Sequence, residues 1–119
     1  MSQIASFYLI KNNKRQELSD GNCSADVYMA IWDYCESELD IDVRFPAPQT
    51  EETLDCALME GKLASDLLEA LQNQNLPKLA AEIALDWDLT VEAVQSGLET
   101  LCSHLKLVRD DTVLLYEMT

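Results

Sequence analysis

The strongest constraint on the fold lies in residues 76–118, LPKLAAEIALDWDLTVEAVQSGLETLCSHLKLVRDDTVLLYEM, where the spacing of apolar residues changes along the stretch. Leu79, Ala80, Ile83 and Ala84 recur at helical intervals and Trp87 and Leu89 close the pattern. Pro77 sits ahead of them, where a helix start tolerates a missing N–H. Val91, Val94, Leu98, Leu101 and Leu105 then recur at alternating steps of three and four, the stripe of a second helix. Thr90 is its expected cap, and Glu92 suits the positive end of its dipole. Beyond Lys106 the period changes: Leu107 and Val108, then Val113, Leu114 and Leu115, flank Asp110 and Asp111. Two short apolar runs about a polar turn predict a β-hairpin.

The rest of the chain divides in the same way. Residues 4–10, IASFYLI, predict a strand with Phe7 and Leu9 on one face and Tyr8 and Ile10 on the other. Apolar residues on both faces imply a strand covered on both sides or central to a small sheet. Residues 11–15 read as a basic loop or helix start, and Asp20, Gly21 and Asn22 as a turn. Ser24 caps a helix in which Val27, Ile31, Cys35 and Leu39 fall at four-residue spacing, beside Tyr28 and Trp32. Its other face carries Asp33, Glu36, Glu38 and Asp40. Ile41, Val43 and Phe45 alternate with charged residues as a strand, stopped by Pro46 and Pro48. Thr50 caps a further helix whose apolar residues Leu54, Leu58, Ala64, Leu67, Leu68 and Leu71 keep phase up to the polar run at 72–75. Gly61 falls inside it, and one helix with a kink there is the expectation.

Helix, helix, helix and hairpin, in that order over residues 52–118, resemble the three-helix core and wing of a winged helix-turn-helix domain. The expected fold is therefore a helix-rich α+β one. It has a winged-helix-like three-helix core with a C-terminal β-hairpin, preceded by a small strand-helix-strand unit. Residues 1–48 would form that unit, packed on a domain of residues 49–119 in one globule, with the seam at 46–49. Winged-helix proteins commonly end the third helix on glycine, and Lys106 stands there in this chain.

The resemblance implies DNA binding, and the charge argues against it. The chain carries a formal charge of −14, with +3 in residues 1–15, −11 in residues 16–60 and −6 in residues 61–119. The exposed face of the third helix would offer Glu92, Gln95, Ser96, Glu99, Thr100 and Ser103, with no lysine or arginine to hold a phosphate. A protein partner with a basic surface fits better than nucleic acid. A homodimer is a second arrangement open to the chain. No apolar run reaches the length of about 20 residues that a membrane span needs, and no export signal is visible, so a soluble cytoplasmic protein without membrane contact is expected.

Chemistry-bearing motifs are sparse. Cys23, Cys35, Cys56 and Cys102 include no CxxC pair, and Cys102 and His104 point about 200° apart on a helix, so neither a zinc site nor a catalytic cysteine is indicated. The pairs Asp40/Asp42 and Asp86/Asp88 lack a third convergent carboxylate in sequence. No nucleophile elbow, metalloprotease or phosphate-loop motif occurs, so no catalytic, cofactor or metal residue is assigned and an enzyme is not expected. The candidate contact residues are Trp32, Asp33, Glu36, Asp40, Trp87, Asp88, Glu92, Gln95 and Glu99, two tryptophans set among carboxylates. They point to an acidic protein–protein interaction module, an adaptor or regulatory subunit. The alternatives are a winged-helix transcriptional regulator and a DNA-mimicking inhibitor of a DNA-binding protein.

Overall fold

The computed structural model describes residues 5–18, 25–41, 43–46 and 55–118. The fold is α+β and helix-rich, as expected. Its elements run β1 (Ala5–Lys11), β2 (Lys14–Leu18), α1 (Ala25–Glu38), β3 (Arg44–Pro46), β4 (Asp55–Glu60), α2 (Gly61–Gln72), α3 (Leu76–Trp87), α4 (Val91–Leu105) and β5 (Thr112–Met118). The strands make one antiparallel sheet in the order β2-β1-β5-β4-β3, so the last strand of the chain lies in the middle, between β1 and β4. The expected caps Ser24 and Thr50, the turn at 20–22, and positions 47–49 of the seam lie outside the described residues. Strand β1, from the expected first unit, and β5, from the second, bond directly to each other in one sheet.

Period-two alternation sorts the sheet's side chains. Phe7, Ala57, Met59, Leu114 and Tyr116 share the face that meets the helices and are fully buried. Phe7 touches Tyr28 of α1 and His104 of α4, with ring centroids 5.0 Å away in each case. Tyr8, Ile10, Leu58, Val113 and Leu115 lie on the opposite face. Helix stripes complete the core: Ala64, Leu67 and Leu71 from α2, Leu79, Ala80, Ile83 and Ala84 from α3, and Val94, Leu98, Leu101 and Leu105 from α4. Asn75 and Thr90 cap α3 and α4, accepting from Lys78 N (3.1 Å) and Ala93 N (3.2 Å). Val91, assigned to the α4 stripe by spacing, is exposed in the first turn instead.

Four elements differ from the sequence reading. The strand expected at 41–45 and stopped by Pro46 forms only over Arg44–Pro46, because the Ile41 N–H is held by Cys35 O (2.9 Å) at the end of α1. Residues 55–60 form a strand rather than the first half of a kinked helix. Ala, Leu, Met and Glu there favour helix, but pairing with β5 buries Ala57 and Met59, and burial overrides propensity. Gly61, at φ +50°, makes the turn from that strand into α2. Residues 11–15 form a hairpin, not a loop or helix start. Asn12 (φ 53°) and Asn13 (φ 63°) take the two left-handed positions of a two-residue turn, which asparagine tolerates. The C-terminal hairpin is the fourth difference, because only its second strand, β5, forms. Leu107 N–H bonds to His104 O (3.0 Å) and Val108 N–H to Leu105 O (3.2 Å), so both residues stay bound to the end of α4. Lys106 is right-handed (φ −65°), and α4 ends there with no need for glycine.

Gly97 is the close-approach point between α1 and α4. A Cβ there would stand 2.7 Å from Val27 Cγ1 and 3.3 Å from Ile31 Cδ1, both on buried branched side chains. Gly97→Ala should therefore destabilise the fold by about 1–3 kcal/mol despite alanine's better helix propensity. In chemical-denaturation curves, adding Val27→Ala should recover part of that loss, a coupling that separates helix contact from propensity.

Candidate functional site

Helices α1 and α3 pack side by side, and the C-terminal halves of both line a groove of about 290 Å³. The spacing of the lining residues is helical on each side: Ala30, Asp33, Tyr34, Ser37 and Glu38 on α1 face Glu82, Ile83, Asp86 and Trp87 on α3. Ala30 and Ile83 are buried, whereas Asp33, Glu38, Glu82 and Asp86 are exposed. Four carboxylates thus stand over an apolar base, with Tyr34 and Trp87 as the aromatic members. Leu85 of α3 is 84% exposed, a large apolar side chain left in solvent that does not line the groove.

The local electrostatics oppose the charge placed there. A helix C-terminus is the negative pole of its dipole and favours cations. Neither α1 nor α3 has a basic residue in its last turn, while Glu36, Glu38, Asp86 and Asp88 crowd those ends. Both helices are also followed by an aspartate in the left-handed region, Asp40 at φ 56° and Asp88 at φ 54°, where glycine is the comfortable residue. The Leu89 N–H still closes α3 onto Ala84 O at 3.1 Å, so the turn is well made around an unfavoured residue.

Tyr34 registers this field. Burial pushes its phenol above the ordinary value of 10.0, and the charges of Glu82, Cys35 and Glu38 push it further the same way. The phenol keeps its proton and remains a donor at neutral pH. Among the described residues no three histidine, cysteine, aspartate or glutamate side chains converge closely enough to hold a metal ion. The groove's carboxylates are spread along two helices, which suits an extended cationic segment better than a point charge.

The sequence candidates separate into four groups. Asp33 and Trp87 line the groove together, and Trp87 is 39% exposed. Glu36, Asp40 and Asp88 are exposed near the ends of the same two helices. Glu92, Gln95 and Glu99 belong to α4, which does not line the groove; Gln95 is half-buried and donates Nε2–H to Glu99 Oε1 at 3.2 Å. Trp32 is corrected: it is 1% exposed, edge-on to Tyr116 (5.2 Å) and beside Tyr28 (6.0 Å), so it is core and not a contact anchor. Its neighbour Asp33 made it look peripheral, but α1 turns Trp32 inward with Tyr28. Tyr34, Glu38, Glu82 and Asp86 line the groove and do not stand among the sequence candidates. The i, i+4 pairs Tyr34/Glu38 and Glu82/Asp86 are a visible signal, but nothing in one dimension puts α1 beside α3. Asp42 lies outside the described residues.

Among the described residues, Cys102 and His104 are buried in the core. Burial pushes the Cys102 thiol up; Lys106 lowers it and Glu99 raises it. That is the setting of an unreactive thiol. His104 is buried against Phe7. Among the described residues no helix is long and apolar enough to cross a membrane. No protein family, curated protein or solved structure matches the chain.

The raised Tyr34 value fixes the sign of a pH dependence. The folded chain holds this proton more tightly than the unfolded chain, where tyrosine titrates near pH 10. The site's contribution is whole below about pH 10 and is lost as pH rises through the folded value. Denaturation midpoints from roughly pH 8 to 12 should show a shallower alkaline decline in Tyr34→Phe and a partial flattening in Glu82→Gln.

Proposed function

We propose that this protein is a cytoplasmic protein–protein interaction module, an adaptor or regulatory subunit, whose α1–α3 groove takes a basic segment of a partner. The observation that carries this reading is the convergence of Asp33, Glu38, Glu82 and Asp86 with Trp87 and Tyr34 in one groove at two negative helix ends. Such an arrangement costs the free protein stability, and a guanidinium or ammonium group relieves the cost when it binds. Trp87 offers a face to a guanidinium, the carboxylates offer acceptors, and Tyr34 offers a donor to a partner carbonyl. Buried Ala30 and Ile83 give the groove an apolar base, so the fitting partner is a basic segment with interspersed apolar residues.

The same charges disfavour a nucleic-acid ligand. Glu92 and Glu99 are exposed on α4, the helix a DNA reader would insert, and Asp110 and Asp111 are exposed in the turn before β5.

The test is titration of the full chain with a synthetic Arg/Leu-containing peptide, followed by tryptophan fluorescence and calorimetry. A citrulline-for-arginine peptide and a DNA duplex serve as the other ligands. Trp87 is the solvent-accessible tryptophan and should report the arginine peptide alone. Asp33→Asn/Glu82→Gln/Asp86→Asn should weaken binding at least about tenfold, roughly 1.4 kcal/mol, whereas Glu92→Gln/Glu99→Gln should not. Duplex binding without peptide binding would overturn the proposal in favour of a transcriptional regulator. Equal binding of the citrulline peptide would remove charge as its basis.

A further inference from the structure

The sheet ends in two unlike edges. On one side β3 has three residues and includes Pro46, which removes a backbone donor and blunts that edge. On the other, β2 (KRQEL) is an edge strand without proline or glycine, and its residues 14–17 are exposed. Among the described residues no strand pairs with its outer side.

The register of the β1–β2 hairpin decides which backbone groups face outward. Its two-residue turn is flanked by Lys11 and Lys14, so Lys14 N–H bonds back across the turn to Lys11. Hydrogen-bonded and non-hydrogen-bonded pairs alternate along an antiparallel ladder. Lys14, Gln16 and Leu18 therefore spend their backbone groups on β1, while Arg15 and Glu17 direct theirs away from the sheet.

We propose that β2 is the interface for a second copy of this chain, pairing antiparallel with its own counterpart about a two-fold axis at Gln16. In that register each Arg15 lies opposite the partner's Glu17, and the outward N–H and C=O groups of both residues make four intermolecular backbone hydrogen bonds. The cross-strand charges match twice. Slipping by one pairing step sets Arg15 against Arg15 or Glu17 against Glu17. Charged edge residues usually forbid pairing, but here their signs forbid the neighbouring registers and favour one. The hairpin is also where two such acidic molecules can approach: β2 carries Lys14 and Arg15 against Glu17, and Lys11 and Arg15 balance Asp111 (3.5 Å) and Glu117 (3.1 Å) of the same molecule, so this edge lacks the negative excess of the helices. This surface lies on β2 and uses no residue of the α1–α3 groove.

An interface this small belongs to the weak class, so sedimentation equilibrium of the full chain is run up to about 1 mM. The apparent mass should rise from 13.4 kDa towards twice that value. Glu17→Arg, which places like charges opposite each other at both ends of the pairing, should hold the chain monomeric with an unchanged circular dichroism spectrum. Crosslinking tests the register independently of that variant. The two Gln16 positions form a non-hydrogen-bonded pair with Cα atoms about 4.5 Å apart, within disulfide reach. Oxidised Gln16→Cys should therefore give a covalent dimer above the background of the parent chain, and Lys14→Cys should not. A monomer throughout the series, a Glu17→Arg chain that still dimerises, or equal crosslinking from both cysteine positions would each overturn the proposal.

Discussion

The position of β5 holds the molecule together. It is the last strand made and the central one in the sheet, hydrogen-bonded to β1 from the start of the chain and to β4 from the middle. Tyr116 stands at the crossing: it lies between Phe7 and Ala57 in the sheet and meets Tyr28 and Trp32 of α1 from above. An aromatic cluster of this size removes several large side chains from water at one point and ties residues from both halves of the sequence into one core. Its contacts span the sequence from Phe7 to Tyr116, so the core closes only when the whole chain has come together.

That core sets the geometry of the surface. Gly97 lets α1 lie close on α4, which turns Val27, Ile31, Tyr28 and Trp32 of α1 inward and leaves Asp33 and Glu38 on the outside. The packing of α3 beside α1 then brings Glu82, Asp86 and Trp87 opposite them. A region where carboxylates gather at the negative ends of two helices works against its own stability, and marginally stable proteins hold such arrangements where a ligand compensates. The groove and the β2 edge are separate surfaces: the groove gathers unopposed carboxylates, whereas on the hairpin Lys11 and Arg15 are ion-paired with Asp111 and Glu117.

Much of the helical part was legible in one dimension. The apolar stripes of α1, α3 and α4, the cap Thr90, and the acidic outer faces follow from local periodicity and backbone chemistry, which act within a few residues. Of the candidate contact residues, Asp33 and Trp87 reached the groove because charge and aromatic character flagged them locally. Trp32 was misplaced because a tryptophan next to an acid reads alike at a surface and at the rim of a core. Tyr34 and Glu82 carry their meaning only through each other, 48 positions apart in sequence.

The sequence by itself determined helices α1, α3 and α4, the first strand, the absence of familiar catalytic motifs and the negative field, because each depends on the order of neighbouring residues. Tertiary structure decided everything that depends on pairing. It made residues 55–60 a strand against their propensity and kept Leu107 and Val108 on the end of α4. It set β5 between β1 and β4 in place of a C-terminal hairpin, and it assembled one acidic groove from two distant helices. Backbone hydrogen bonds between strands carry no residue-specific code, so their partners are chosen by the burial of the whole core, a property no local window contains.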